Sequence, residues 1–299
     1  MVNCPLRKNA DFHRGRSAAE TLIKTYVPHQ NHGVHIRVSG ITIFFEHNSN
    51  KIEQYTINII QAMQDGIYVY EMPNYREGFS IENGRKILEA LTIHGGIATF
   101  SELEATSGVK GSVLTHHLNR LQRLRVIEKE VKGTYRLTYK TPLCFLYSTK
   151  TRIPIAYFGL LGRRESRIEP EPQVAMELLK KENLEPSLKY VVTSLEALNE
   201  WKDLKLPYQW ILCYQDEIID IDAVKNKILP QLVSLLKEYI VIMDCTSATK
   251  PATIAYYELA QTFLAPLIYV YEETKRLKWL ISKETIKEAF KHGVNISKR

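Results

Sequence analysis

Two short segments of the sequence combine residue types that bind anions. Residues 244–251 (DCTSATKP) join a predicted strand to a predicted helix and contain hydroxyls and a lysine, whereas residues 159–164 (GLLGRR) contain two glycines and two arginines. A helix start offers unpaired N–H groups and a favourable dipole, so negatively charged groups bind there readily. The candidate ligand-binding residues are Gly162, Arg163, Arg164, Asp244, Thr246, Ser247, Thr249 and Lys250.

Neither segment matches a common nucleotide-binding motif. The spacing fits neither GxxxxGK[ST] nor GxGxxG, which argues against a nucleoside triphosphatase and against an ordinary dinucleotide site. Helix capping by Thr246 or Ser247 is the alternative explanation for the hydroxyls. Capping leaves Lys250 and the two arginines of the other segment unexplained.

Both segments belong to a region, residues 151–299, in which unbroken apolar strands alternate with amphipathic helices. This alternation predicts a mostly parallel sheet covered on both faces, a Rossmann-like α/β domain. Ligands bind such sheets at the carboxyl ends of the strands, which is where both segments lie. Strands are predicted at Ile153–Gly159, Leu188–Ser194, Gln209–Tyr214, Tyr239–Met243 and Leu267–Tyr271, with an edge strand at Leu277–Ile281.

Residues 243–273 (MDCTSATKPATIAYYELAQTFLAPLIYVYEE) resemble the signature strand–loop–helix–strand of the CARF domain, the CRISPR-associated Rossmann-fold sensor of cyclic oligoadenylates. Family members typically have an Asp-x-Thr-Gly-Gly-Thr-Lys-like loop there. Asp244, Thr246, Thr249 and Lys250 match that loop in place. The chain departs from the pattern at Ser247-Ala248, where two glycines are usual.

The resemblance implies a homodimer that binds a cyclic oligoadenylate across its two-fold axis, with cyclic tetra-adenylate as the expected ring. A two-fold-symmetric ring suits an interface in which each half presents the same loops. Paired copies of Arg163, Arg164 and Lys250 would neutralise the phosphates. Tyr214 and Gln215, at another strand end, are candidate walls for the adenines.

The net charge of +7 is concentrated in one block of the chain. Residues 110–140 contain eight Lys or Arg and two acids, a net +6, whereas the other residues are nearly neutral at 32 basic against 31 acidic. A localised basic block on a neutral scaffold indicates contact with a polyanion. A solvated helix face is the alternative explanation.

That block lies in residues 79–142, which are predicted to form helix, short helix, helix and β-hairpin, the order of a winged helix-turn-helix. The wording LTHHLNRLQRLRVIEKEVKGTYRLT resembles the recognition helix and wing of arsenic-repressor and multiple-antibiotic-resistance regulators. The third helix, from about Gly111 to Arg125, is predicted to bury an apolar stripe that includes Val113. The candidate DNA-binding residues are Lys110, Ser112, Thr115, His116, Asn119, Arg120, Arg123, Lys129, Lys132 and Arg136.

Residues 1–78 are predicted to be an α+β extension without an assigned role, with strands at Val34–Val38 and Ile41–Phe45, a helix at Lys51–Met63 and a third strand at Ile67–Glu71. Three histidines spaced three residues apart (His29, His32 and His35) lack a partnering Cys or carboxylate, so no metal site is expected. The pentapeptide IYVYE occurs at residues 67–71 and 268–272, which leaves an internal repeat open. Isolated cysteines, together with the lack of a signal peptide or membrane span, favour a cytoplasmic protein.

We therefore expect a CRISPR-associated transcription regulator that binds double-stranded DNA and senses cyclic oligoadenylate, without a cofactor. The first alternative is a ring nuclease that degrades its own ligand. The second is a non-catalytic docking subunit whose winged helix binds protein, a common use of this fold. Whether the chain is an enzyme stays open, and a non-catalytic role is favoured.

Overall fold

The computed structural model describes residues 34–38, 41–45, 72–147 and 153–292, and the chain divides into two compact units, Met1–Val69 and Tyr70–Arg299. In the first unit, strands β1 (Val34–Val38) and β2 (Ile41–Phe45) lie where the sequence predicts strands, and they pair antiparallel. The predicted helix and third strand of that region, and the histidine side chains, lie outside the described residues. Within the described ranges, no helix combines the length and apolar character needed to span a membrane.

The second unit begins with short helices and a small antiparallel sheet in which β5 lies between β3 and β4. The sequence predicts the two strands of the hairpin, β4 and β5, but not β3. The elements are α1 (Tyr75–Phe79), α2 (Glu82–Ile93), β3 (Ile97–Thr99), α3 (Phe100–Ser107), α4 (Gly111–Arg123), β4 (Ile127–Lys129), a 3-10 turn (Val131–Gly133), β5 (Thr134–Leu137) and α5 (Leu143–Tyr147).

Local sequence signals explain where α3 and α4 begin and how they pack. Thr99 and Glu102 form a capping box at the start of α3, and Gly108 ends it in a left-handed conformation. Helix α4 buries three leucines that follow helical spacing. The prediction that Val113 belongs to the buried stripe is wrong, because its side chain is 48% exposed. The buried leucines are Leu114, Leu118 and Leu121.

Residues 153–292 form the predicted α/β sheet, with strand order β11-β10-β9-β6-β7-β8. Every neighbouring pair is parallel except β10 and β11. The elements are β6 (Ile155–Leu161), α6 (Glu171–Lys181), β7 (Leu188–Ser194), α7 (Leu195–Glu200), β8 (Gln209–Cys213), α8 (Ile221–Glu238), β9 (Ile240–Asp244), α9 (Lys250–Phe263), β10 (Leu267–Tyr271), β11 (Arg276–Ile281) and α10 (Lys283–His292).

Apolar side chains on both faces of the sheet explain why its central strands read as unbroken hydrophobic runs. On β6, Tyr157 and Leu161 pack with residues of α6, whereas Ala156, Phe158 and Leu160 pack with residues of α8 and α9. Side chains alternate along a strand, so helices on both faces bury every position. The predicted Rossmann-like architecture of an α/β sheet covered on both faces is confirmed.

The chain reverses its direction across the sheet between β6 and β9. From β6 the strands proceed outward through β7 to β8, and from β9 they proceed the other way to β10. Such a switch point opens a crevice at the carboxyl ends of the two strands, because the crossover helices leave on opposite faces. The two segments singled out in the sequence leave from these two strand ends.

The region before the sheet is joined to it by hydrogen bonds and ion pairs. The backbone N–H of Lys140 donates to Leu236 O at 2.8 Å. The buried Thr141 Oγ1 donates to Tyr239 O at 3.0 Å and accepts from Val241 N at 2.9 Å. One continuous apolar cluster runs from α2 and α4 to α8 and α9. Residues 79–142 and most of 151–299 therefore lie in one compact unit.

Replacement of Thr141 by Val is expected to destabilise this unit. Valine keeps the shape but leaves the buried Val241 N–H and the part-buried Tyr239 carbonyl without the partner that the hydroxyl supplies. Each unsatisfied group costs about 1–3 kcal/mol, so the free energy of unfolding should fall by about 2–6 kcal/mol in urea denaturation. Thr262→Val, at an exposed position of α9, is the control and should change stability by less than about 0.5 kcal/mol. Equal effects of the two variants would contradict this account of the junction.

Candidate functional site

A cavity of about 400 Å³ opens at the carboxyl ends of β6, β7 and β9. It is bordered by the β6 loop (residues 162–167) and the β9 loop (residues 245–249). The structure thus brings together the two segments that the sequence singles out. The lining residues are Leu161, Gly162, Arg163, Glu165, Arg167, Ser194, Ala197, Gln215, Ile218, Ile219, Thr246, Ser247, Ala248 and Thr249.

The two loops meet at Gly162. Its N–H donates to Ser247 Oγ at 2.7 Å, and its carbonyl accepts from Trp201 Nε1 at 3.0 Å. A Cβ atom at this position would lie 2.8 Å from Ser247 Oγ and 3.0 Å from Ala248 N. Glycine is required here because no larger residue allows the loops to approach this closely.

The β9 loop is fixed by hydrogen bonds of its own hydroxyls. Thr249 caps α9: its Oγ1 accepts from Ala252 N at 3.3 Å and donates to Ile218 O. Neither Thr246 nor Ser247, the two residues that the sequence offers as helix caps, therefore caps α9. Pro251 has no N–H, so the start of α9 offers fewer unpaired donors than the sequence indicates. Lys250 is exposed at the first position of α9 and does not line the cavity.

Asp244 lies under the β9 loop and not in the cavity, which corrects its assignment as a ligand contact. Its carboxylate is 1% exposed, accepts from Tyr157 Oη at 2.5 Å and from Thr246 N at 2.9 Å, and also accepts from the Thr246 hydroxyl. Burial raises the pKa of Asp244 to about 6, although these hydrogen bonds act in the opposite direction. Thr246 Oγ1 also accepts from Val270 N at 2.8 Å. Asp244 therefore shapes the loop from beneath.

Tyr157 reaches Asp244 because the residue two positions along the strand has no side chain. Tyr157 and Gly159 project from the same face of β6, and a Cβ atom at Gly159 would overlap the Tyr157 ring. Glycine leaves the room in which the ring lies along the strand towards its end. The phenol is buried, and burial raises its pKa well above the ordinary value.

The two predicted arginines of the β6 loop differ in their surroundings. Arg163 lines the cavity with a 57% exposed side chain, and its Nε lies 3.9 Å from Glu200 Oε1. Arg164 Nη1 lies 2.7 Å from both carboxylate oxygens of Asp203, and its guanidinium lies 5.1 Å from the ring centroid of Trp201. Arg164 does not line the cavity, and its contacts with Asp203 and Trp201 anchor the loop.

Arg167 lines the cavity and was not predicted. It lies three residues beyond Arg164 in the same loop, so the third arginine of the run RRESR (residues 163–167) was visible in the sequence as a further candidate cation. Its side chain is two-thirds buried and contacts the carboxylates of Glu171 and Glu272. Burial raises the pKa of Glu272, as does the neighbouring carboxylate of Glu171.

The opposite wall of the cavity is formed by the segment after β8. Gln215, Ile218 and Ile219 line it, and Ile219 is 60% exposed. Gln215 thus occupies the wall position that the sequence predicts. Tyr214 does not line the cavity: its ring is 72% exposed, and Lys227 Nζ lies 5.5 Å from its centroid.

The second candidate surface is the outer face of α4. Two of the predicted basic residues, Arg120 and Arg136, are engaged in ion pairs. Arg120 Nη2 lies 3.0 Å from Glu77 Oε1 and is half-buried. Lys132 has a side chain that lies outside the described residues. The exposed candidates are Lys110, Ser112, Thr115, His116, Asn119, Arg123 and Lys129.

Arg136 faces the sheet domain and not the solvent side of the hairpin. Its Nη2 lies 2.6 Å from Glu238 Oε1, and its Nη1 lies 3.0 Å from Glu130 Oε1. Only 19% of its side chain is exposed. The residue holds the hairpin to the end of α8, so we do not include it among the DNA contacts proposed below.

No protein-family model matches this chain, and no curated protein matches it. Among solved structures, the chain is similar to Can2 from Sulfobacillus thermosulfidooxidans in complex with cyclic tetra-adenylate, at 12% identity and a TM-score of 0.31, over 43% of this chain and 35% of that chain. It is also similar to Enterococcus italicus Csm6 bound to cyclic hexa-2'-fluoro-hexa-dAMP, at 13% identity and a TM-score of 0.31, over 48% and 40%. The chain thus spans well under half the length of either structure.

The buried carboxyl of Asp244 predicts a pH dependence of stability. An acid whose pKa is higher in the folded chain binds its proton there first, so its contribution is present below about pH 4 and is lost as the pH rises to about 6. Asparagine has no such titration. The free energy of unfolding of Asp244→Asn minus that of wild type should therefore rise by about 2–3 kcal/mol from pH 4 to pH 7, because two pKa units are worth about 2.7 kcal/mol. Urea denaturation across this range measures the difference.

Asp203→Asn is the control for this pH series. The hydrogen bond from Arg164 lowers the pKa of Asp203, so that carboxyl titrates below the window. Its difference from wild type should stay constant between pH 4 and pH 7. A constant difference for Asp244→Asn as well would contradict the raised pKa of Asp244 in the folded chain.

Proposed function

We propose that this chain is a CRISPR-associated transcription regulator that senses cyclic oligoadenylate through a dimeric CARF domain (residues 151–299) and binds double-stranded DNA through a winged helix-turn-helix (residues 79–142). The observation that carries the proposal is the meeting of the β6 and β9 loops around a cavity at the switch point of the sheet. Open sheets of this class bind their ligands at that place. The expected location is the cytoplasm.

The charge of the cavity supports an anionic ligand. Arg163 and Arg167 line it, and Lys250 is exposed at the adjoining start of α9, where the helix dipole favours negative charge. Guanidinium groups match phosphate oxygens in geometry as well as in charge. The choice of oligoadenylate among anions rests on the resemblance of residues 243–273 to the CARF signature.

The size of the cavity supports a dimer. Its volume of about 400 Å³ is near the lower end of the roughly 300–1,000 Å³ range of small-molecule pockets. One copy therefore has room for part of a ring of four nucleotides, and a second copy related by a two-fold axis supplies the rest. Leu195 and Ile219, which are 53% and 60% exposed beside the cavity, offer apolar surface for such a contact.

The exposed face of α4 supports DNA binding. Ser112, Thr115, Asn119 and Arg123 present hydrogen-bonding side chains of the kinds that contact base edges in the major groove. Lys129 is exposed on β4, where a wing contacts backbone phosphates. The buried leucines on the other side of α4 fix which residues face outward.

Lys250→Ala tests the ligand. Calorimetric titration of the full chain with cyclic tetra- and hexa-adenylate should show at least a tenfold loss of affinity for this variant. Each copy of the chain loses one charge-assisted contact, so a dimer loses two. Lys180→Ala is the control: it removes the same charge from an exposed residue near the far end of α6. Failure of the wild type to bind either ring at about 100 µM would contradict the sensor function.

Arg123→Ala and Lys129→Ala test DNA binding on duplexes selected from a random pool. Loss of a base contact should weaken the selected duplex by about 1–3 kcal/mol, whereas loss of a phosphate contact should weaken all duplexes alike and reduce the salt dependence. Arg85→Ala, an exposed arginine of α2, is the control for net charge. Unchanged binding for both test variants would remove this face from the DNA interface.

The same titrations separate the two alternatives. Conversion of the ring to a linear product, detected by mass spectrometry, would identify a ring nuclease. Thr246, Ser247 and Thr249 all donate to acceptors within the chain, so we assign no catalytic residue. Ligand binding without retention of any duplex would instead identify a docking subunit.

A further inference from the structure

Arg167 connects the cavity to a group of three carboxylates, of which Glu171 is buried. Its Nη1 lies 3.3 Å from Glu171 Oε1 and donates to Arg163 O at 2.7 Å, and its Nε lies 3.3 Å from Glu272 Oε2. Glu165 Oε2 lies 4.0 Å from Arg167 Nη1. These contacts hold the guanidinium by two of its three nitrogens, and Nη2 is the nitrogen for which the described residues provide no such contact.

Glu171 is the deepest of these carboxylates. It is 1% exposed at the first position of α6. Its Oε1 accepts from Ser247 Oγ at 2.8 Å and faces Arg167, whereas its Oε2 is buried without a hydrogen-bond partner. A buried charge is costly unless it is paired, so Arg167 is the counter-ion that allows Glu171 to stay there.

This arrangement links the two loops through side chains. The Gly162 N–H donates to Ser247 Oγ, and the Ser247 hydroxyl donates to Glu171. Glu171 forms an ion pair with Arg167, and Arg167 lines the cavity. Contacts at Nη1 and Nε restrict the rotation of the guanidinium. Its Nη2 N–H groups are therefore preorganised for an anion in the cavity.

We propose that Arg167, rather than Arg164, joins Arg163 as an arginine of the β6 loop that contacts an anionic ligand, and that the buried Glu171 positions Arg167 while its negative charge limits the affinity. The inference rests on the proposed function only in that the ligand is an anion. The phosphodiester groups of a cyclic oligoadenylate and the oxygens of an inorganic cyclic phosphate share that chemistry. Arg164 is already satisfied by Asp203 and does not line the cavity.

Four variants of the full chain test the proposal by calorimetric titration with cyclic tetra-adenylate. Arg167→Gln should lose at least tenfold in affinity and show a weaker salt dependence, because one charge-assisted contact is lost per copy. Arg164→Gln, the same change in the same loop, should lose less affinity than Arg167→Gln, because Arg164 anchors the loop and does not line the cavity. Arg276→Gln, at an exposed position of β11, is the control and should alter the affinity by less than about threefold. Glu171→Gln should bind at least about threefold more tightly, because the amide keeps the shape and removes a negative charge near the anion.

A fifth variant guards against misfolding. Arg167→Gln leaves Glu171 buried without its counter-ion, so the double variant Arg167→Gln/Glu171→Gln removes both charges together. It should fold and should bind at least tenfold more weakly than Glu171→Gln alone. Equal losses for Arg167→Gln and Arg164→Gln, or equal affinities of the double variant and Glu171→Gln, would overturn the proposal.

Cyclic trimetaphosphate is the second probe and separates this inference from the proposed function. Binding of trimetaphosphate that depends on Arg167, without binding of either cyclic oligoadenylate, would support the inference and refute the proposed ligand. Binding of cyclic tetra-adenylate that is indifferent to Arg167→Gln would refute the inference alone. Failure of both probes to bind would refute both.

Discussion

The close approach of the β6 loop to the β9 loop is the contact on which the cavity depends. The two strands are neighbours in the sheet, so their ends are adjacent, but adjacent loops would spread apart without a contact across them. The hydrogen bond from Gly162 N to Ser247 Oγ supplies that contact, and Asp244 fixes the β9 loop from below through Thr246. Two glycines make this possible for one physical reason, the absence of a Cβ: Gly162 where loop meets loop, and Gly159 where the Tyr157 ring passes towards Asp244.

Two elements border both the cavity and the junction with the hairpin. Helix α8 begins next to Ile218 and Ile219, which line the cavity, and ends at Glu238, which pairs with Arg136 of the hairpin; its 18 residues span about 27 Å. Strand β9 begins beside Thr141 and ends at Asp244 beneath the loop. A displacement of either element at the cavity would be transmitted towards the hairpin, since packed interiors transmit displacement and do not absorb it. The proposed regulator thus has a physical connection between its two sites.

The periodicity of the sequence predicted the elements and the position of the site, but not the partners of its charged side chains. The bounds of β7 and β10 agree with the prediction, because long apolar runs are local properties. Arg136 faces Glu238, a residue about 100 positions away, and no local pattern contains that pairing. The prediction therefore counted Arg136 as a free cation. For the same reason, the sequence did not indicate the burial of Asp244, the pairing of Arg164 with Asp203 or the place of Arg167 in the cavity.

The departure of the β9 loop from the CARF pattern has a structural explanation in this chain. Ala248 adopts a left-handed backbone with φ of 73°, a conformation that favours glycine, so the usual residue at this position matches the geometry that the loop retains. An L-residue there costs about 1 kcal/mol. Ser247, at the other usual glycine, contributes a hydroxyl that accepts from Gly162 and donates to Glu171. A glycine there could make neither hydrogen bond. The substitution thus exchanges an open backbone approach for a side-chain bridge, and that bridge connects the β9 loop to the carboxylate that holds Arg167.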